Sequence, residues 1–261
     1  MAIRDSYKHG EFCWVDLASH DQESAATFYC QVFGWELRQE DTHGGPPYSS
    51  FTLERSSVAG LGEISSEMQE MGVLPTWSSY INVDDIEAVV AQAQELGATV
   101  TAPVMQIADA GKTAFLMDPA GTSFALWQAG NHAGAKRSNE ENSFCWVELA
   151  TRDFEKAKAF YTSLFGWNYR ENPHTAQPYL IIENQGRTIG GMLLMTEEWG
   201  DHPPYWGVYF GVTNVSETKE RVESAGGQCL HGPFDTPVGP MGVMQDPQGA
   251  IFSVMQAGKT C

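Results

Sequence analysis

One stretch of this chain occurs twice. Residues 12–35 read FCWVDLASHDQESAATFYCQVFGW and residues 144–167 read FCWVELATRDFEKAKAFYTSLFGW, with no gap and with 14 of 24 positions identical. An offset of 132 residues lies far above the period of a solenoid repeat, so it denotes a duplicated domain. A chain of 261 residues then divides into two units near 130, each long enough to bury a core. The Gly-, Ala- and polar-rich run AGNHAGAKRSNEE separates the copies. The expected division is a first module at 1–130, a linker at 131–142 and a second module at 143–261.

Local patterns give each module the same order. Phe12–Leu17 is apolar and β-branched, which predicts a strand. Asp21 is a helix N-cap, Ala25, Phe28, Tyr29 and Val32 recur at helical spacing, and Gly34 ends the helix. Strands are predicted at Trp35–Gln39, Tyr48–Leu53 and Val58–Ile64, and Ser65–Thr76 is an irregular polar connection. A strand at Ser79–Val83, a helix capped by Asp84 or Asp85 and stopped by Gly97, and strands at Thr99–Ile107, Lys112–Met117 and Phe124–Gln128 follow. DPAGT at 118–122 and DPQGA at 246–250 make matching hairpin turns. The fold class is α+β, built from four βαβββ units.

Composition narrows the function. Lys and Arg total 15 against 33 Asp and Glu, a formal net charge of −18. Phosphate backbones and anionic membrane surfaces need cationic contacts, so neither nucleic acid nor membrane is an expected partner. No apolar run approaches the roughly 18–20 residues that span a bilayer. The opening MAIRDSYKHGEF shows no apolar signal region, so a cytoplasmic location is expected. None of the five cysteines shows C-x-x-C spacing. Strand alternation turns Cys13 and Cys145 away from the faces of their neighbours Trp14 and Trp146.

The pattern D-x-x-x-A-x-x-F-Y-x-x-x-F-G-W with a DPxG hairpin resembles the vicinal oxygen chelate superfamily. That group holds glyoxalases, bleomycin resistance proteins and extradiol dioxygenases. The resemblance is carried by Asp21, Phe28, Tyr29, Gly34, Trp35 and DPAG at 118–121, and by Asp153, Phe160, Tyr161, Gly166, Trp167 and DPQG at 246–249. The run DAGKTAFLMDPAGTSFALWQA at 109–129 is similar to two-module glyoxalase-like proteins, a group that includes a mycobacterial culture-filtrate antigen. The resemblance implies half-open barrels around cavities, with metal ligands on the first and last strands of the units. Transferred to this sequence, the ligand positions fall on Trp14, Ser78 and Ala125, and on Trp146, Gly207 and Ser253. None is a His, Asp, Glu or Gln, so the usual metal site is erased and no cofactor is expected, with a divalent metal as the alternative.

Two residues after each Trp, on the same strand face, stands an acid, Asp16 or Glu148. A buried carboxylate is costly unless it is hydrogen-bonded or paired. Three readings stand for this pair. It is held at the strand end by backbone or tyrosine hydrogen bonds across the module interface; it is a ligand anchor or general base; or it is a relocated metal ligand. Trp14, Tyr80 and Trp127 should face the first cavity, and Trp146, Tyr209 and Met255 the second, as core or as the walls of an aromatic pocket. Ser78, Asn82 and Ser253 are candidate polar contacts. His43, His174 and His202 lack ligand spacing, and His132 falls in the linker.

Two functions therefore compete. One is a metal-free protein that binds a small hydrophobic or aromatic molecule. The other is a glyoxalase-like or dioxygenase-like enzyme acting on a small carbonyl or diol compound, with Asp16 or Glu148 as base or relocated ligand. Two modules in one chain can complete a site internally, so a monomer suffices and a homodimer is compatible.

Overall fold

The structure, a computed structural model, describes residues 3–173, 175 and 177–256; His174 and Cys261 lie outside them. The first half contains β1 (Phe12–Ser19), α1 (Gln22–Phe33), β2 (Glu36–Gln39), β3 (Tyr48–Leu53) and β4 (Ser56–Glu63). A short helix α2 (Ser66–Glu70), capped by the Ser65 hydroxyl, lies in the connection read as irregular. Then come β5 (Thr76–Asn82), α3 (Ile86–Glu95), β6 (Thr99–Ile107), β7 (Gly111–Met117) and β8 (Ser123–Ala129). The second half repeats this with β9 (Phe144–Thr151), α4 (Phe154–Phe165), β10 (Asn168–Glu171), β11 (Tyr179–Asn184) and β12 (Arg187–Leu194). It closes with β13 (Tyr205–Val212), α5 (Val215–Ser224), β14 (Gln228–Thr236), β15 (Gly239–Gln245) and β16 (Ile251–Gln256). The four βαβββ units are present.

Each half forms one eight-stranded sheet, in the order β2-β3-β4-β1-β5-β8-β7-β6 and its equivalent β10-β11-β12-β9-β13-β16-β15-β14. The sheets curve without closing. The repeated stretch supplies a central strand in each, parallel to β4 or β12 and antiparallel to β5 or β13. The helix that follows starts where the Asp21 or Asp153 carboxylate accepts a backbone N–H. It ends at Gly34 or Gly166, whose φ of 69° or 72° is left-handed, a conformation without penalty only for glycine.

Most of the family-like motif is used to join the halves. Tyr29 donates to Asp246 Oδ2 at 3.1 Å and accepts from Trp77 Nε1; reciprocally, Tyr161 donates to Asp118 Oδ2 at 3.0 Å and accepts from Trp206 Nε1. The same two aspartates hold their own hairpins through Oδ1, so each DPxG acid is both turn cap and cross-half latch. Trp35 Nε1 donates to the carbonyl of Asn142, and Trp167 Nε1 donates to the carbonyl of Gly10. Asn142 and Gly10 precede the two copies of the first strand and both have positive φ. The apolar seam between the sheets includes Phe33 against Phe210 and Phe12 against Trp167.

One sequence expectation fails locally. The register of β1 against β5 skips Cys13 and that of β9 against β13 skips Cys145, so both cysteines sit at β-bulges. A bulge breaks strict alternation, and Cys145 consequently lines the same cavity as Trp146 instead of facing away from it.

Candidate functional site

In both halves the acid two residues after the repeated Trp is the centre of a hydrogen-bonded constellation. Tyr80 on β5 donates to Asp16 Oδ2 at 2.9 Å, and Tyr48 on β3 donates to the same oxygen at 3.3 Å. Trp14 Nε1 donates to the Tyr48 hydroxyl at 2.9 Å. In the second half Tyr209 donates to Glu148 Oε1 and Tyr179 to Glu148 Oε2, both at 2.7 Å, while Trp146 Nε1 donates to the Tyr179 hydroxyl at 3.0 Å. The longer glutamate takes one tyrosine on each oxygen; the aspartate takes both on one. The partners are tyrosines of the same half, on neighbouring strands, and not groups across the module interface.

Tyr48 and Tyr179 reach the acids across an intervening strand. That strand carries Gly60 opposite Asp16 and Gly191 opposite Glu148. A Cβ at either glycine would collide with the tyrosine hydroxyl. The tyrosine–glycine pair is therefore part of the site, and the strand-by-strand reading missed it. A signal existed: Pro-Tyr recurs at 47–48 and 178–179 and Gly recurs at 60 and 191, all at an offset of 131.

The electrostatics follow from enclosure. Both acids lie deep among protein atoms yet keep an accessible face. Burial pushes the Asp16 carboxyl up to about 6, against the opposing pull of its two tyrosine donors. Burial raises Glu148 too, again opposed by its tyrosines. Tyr48, Tyr80 and Tyr209 are driven well above the ordinary phenol range by burial and by the adjacent acid, so they stay protonated donors.

The space in front of the two constellations differs. The second half encloses a cavity of about 560 Å³ whose lining includes Trp146, Glu148, Tyr179, Ile189, Met241 and Met255. That is within the usual 300–1,000 Å³ of a small-molecule site. In the first half the space over Trp14 is occupied. The segment 130–132, where the first module passes into the linker, is hydrogen-bonded to the β6–β7 turn through the Asp109 and Ala110 carbonyls, which presents His132 inward. Its ring packs edge-on against Trp14 at 4.5 Å between centroids and against Trp127 at 5.7 Å, and Trp127 Nε1 donates to the His132 carbonyl. Burial pushes the imidazole down to about 4, leaving it neutral near pH 7. Trp14 is only 4% exposed, whereas Trp146 is half-buried.

The other candidates are distributed as follows. Ser78 lies opposite Asp16 in the register, and Ser253 lies opposite Tyr209, buried in the β13–β16 pair. The Asn82 amide donates to the Tyr7 carbonyl, which ties down the N-terminal segment. His132, assigned to a linker by composition, is a wall of the first site.

This architecture and its comparisons agree on a class. A family model described as Glyoxalase/Bleomycin resistance protein/Dioxygenase superfamily matches residues 143–254, and one described as Glyoxalase-like domain matches residues 14–127. The chain belongs to the glyoxalase/bleomycin resistance protein/dioxygenase superfamily. It is 38% identical over 259 residues, 98% of each chain, to a Mycobacterium tuberculosis protein named "Putative glyoxylase CFP32". It is 28% identical over 260 residues, 95% of this chain and 93% of the other, to "Anthracycline biosynthesis protein DauV" of Streptomyces sp. strain C5. Among solved structures it superposes on the Mn(II)-bound glyoxalase from Novosphingobium aromaticivorans with a TM-score of 0.66 at 16% identity, covering 97% of this chain and 84% of that one.

A manganese-bound structural relative poses the question of a metal here. The expected ligand positions carry Trp14, Ser78 and Ala125 in one half and Trp146, Gly207 and Ser253 in the other. Among the described residues no group of three or more His, Cys, Asp or Glu converges. Asp16 and Glu148 each already accept two tyrosine hydroxyls, and Glu11 is paired with Arg4 and Arg187. A first-row divalent ion needs several N or O ligands of its own, so the residues present do not fit it. Among the described residues no helix is long and apolar enough to cross a membrane.

Proposed function

We propose that this protein binds a small hydrophobic or aromatic molecule in the cavity of its second half, with modules at 1–130 and 143–261 joined by 131–142. The observation that carries this reading is the 560 Å³ cavity itself, apolar along Ile189, Met241 and Met255, aromatic at Trp146, and polar at Glu148 on its floor. Glu148 orients a ligand hydroxyl, amine or carbonyl, according to its own protonation. The full-length relative named for anthracycline biosynthesis supports an aromatic ligand. The test is fluorescence titration with the neutral arylamine N-phenyl-1-naphthylamine. Wild type should bind one equivalent saturably, and Met255→Trp, which installs the residue the first half carries at Trp127, should weaken binding at least tenfold. Absence of saturable binding, or binding indifferent to Met255→Trp, contradicts the proposal.

A second reading keeps the cavity and gives Glu148 a proton-transfer role on a small carbonyl or diol compound. The raised pKa of an accessible buried carboxyl supports it. Turnover of an α-ketoaldehyde or a catechol that disappears in Glu148→Gln while arylamine binding persists would favour it over binding alone.

A further inference from the structure

The mouth of the second cavity is not apolar. Arg4 and Glu11, contributed by the first half, and Arg187 at the start of β12 all line it. Glu11 is buried; its Oε2 accepts from Arg4 Nη2 at 2.7 Å and its Oε1 lies 3.4 Å from Arg187 Nη1. Arg4 is held in place by the Tyr7 ring, 3.9 Å from its guanidinium carbon, and by its backbone N–H bond to the Lys136 carbonyl. A guanidinium carries five N–H donors, and each of these two gives one to Glu11. The side chain of Arg187 is 58% exposed. The two guanidiniums share one acid, Glu11, while Glu148, the cavity's other acid, is bonded to its tyrosines, so both arginines keep uncommitted N–H donors in a chain whose net charge is −18.

The first half is arranged differently. At its β3–β4 hairpin Arg137 lies between two acids, Glu54 and the buried Glu140, and Arg55 stands in the turn itself. Two guanidiniums sharing one buried acid are therefore found at the open cavity and are not repeated in the first half.

We infer, on the basis of the binding reading above, that the ligand of the second cavity is an aromatic molecule bearing an anionic group, its ring against Trp146 and its anion at Arg4 and Arg187. Carboxylate and sulfonate oxygens suit the planar guanidinium fork, and such charge-assisted bonds are about twice as strong as neutral ones. The chain as a whole repels anions. At physiological salt that repulsion is screened beyond about 8 Å, so recognition acts at contact and should appear in the dissociation rate.

The test compares two probes on the full chain: neutral N-phenyl-1-naphthylamine and its sulfonated analogue 8-anilinonaphthalene-1-sulfonate. Wild type should bind the sulfonate at least tenfold more tightly. Arg187→Gln, an exposed and structurally mild change, should weaken the sulfonate about tenfold and the neutral amine by no more than twofold; Arg4→Gln should do the same. Met255→Trp should weaken both, placing both in this cavity. Equal affinity of the two probes, or equal losses in Arg187→Gln, overturns the anionic-ligand inference while leaving the cavity reading intact. Failure of both probes to bind wild type overturns the cavity reading and this inference together.

Discussion

The two halves share a seam and diverge at their cavities. Four cross-half bonds at the first helix and the residues after it come in matched pairs: Tyr29 to Asp246 and Tyr161 to Asp118, Trp35 to the Asn142 carbonyl and Trp167 to the Gly10 carbonyl; the bonds of Gln248 to Ser19 and Asp21 are not repeated, because Ala120 stands at the equivalent position. The Trp–Tyr–acid constellation is also duplicated. What differs lies in front of it. Trp127 and His132 fill the first site, where the second has Met255 and open space, and the Arg–Glu clusters differ. The two halves thus share most of the groups that join them and the buried acid, and differ in the segments bordering each cavity.

If the seam is symmetric, damaging either side should be equally severe. Trp35→Ala and Trp167→Ala each remove a buried indole and its cross-half hydrogen bond. Each should lower the unfolding free energy by about 3–5 kcal/mol, read by denaturant titration. A loss confined to one of them would break the symmetry. The acids provide a second comparison. Asp16 titrates near 6 in the folded chain against an ordinary 3.8, so its contribution to stability is complete below pH 3.8 and lost as pH rises through 6. The full loss is about 3 kcal/mol at most. Asp16→Asn should therefore gain on wild type by up to that amount between pH 4 and pH 7, and Glu148→Gln should gain in the same direction. A pH-independent difference would contradict the account. The smallest effect concerns the plug. His132→Ala should cost about 1–2 kcal/mol from lost aromatic contacts and should create a second, weaker site for N-phenyl-1-naphthylamine.

Much of this was legible in the chain. The caps at Asp21 and Asp153, the glycine stops and the matched DPxG turns place most helices and strands within a residue or two, because those signals are local, although β5 begins three residues before the expected Ser79. The W-x-[D/E] pair marked the centre of each site, and strand alternation was enough to bring Tyr80 and Tyr209 toward the acids. The remainder depends on tertiary geometry. Tyr48 and Tyr179 lie two strands away and reach the acid only because Gly60 and Gly191 leave room. Alternation failed at Cys13 and Cys145, where bulges insert one residue. His132 looked like linker because its inward path is set by the Asp109 and Ala110 carbonyls rather than by its own neighbours in sequence. The mouth of the second cavity draws Arg4 and Glu11 from the far end of the chain, a proximity that no spacing pattern encodes.

On the proposed reading, the second half holds the binding cavity and the first is plugged by His132. A crystal of the full chain soaked with 1-bromonaphthalene tests it most directly, because the bromine marks its own position by anomalous scattering. One strong peak is expected, beside Trp146 and Met255. A peak beside Trp14 and Tyr80, or equal peaks in both halves, would contradict it.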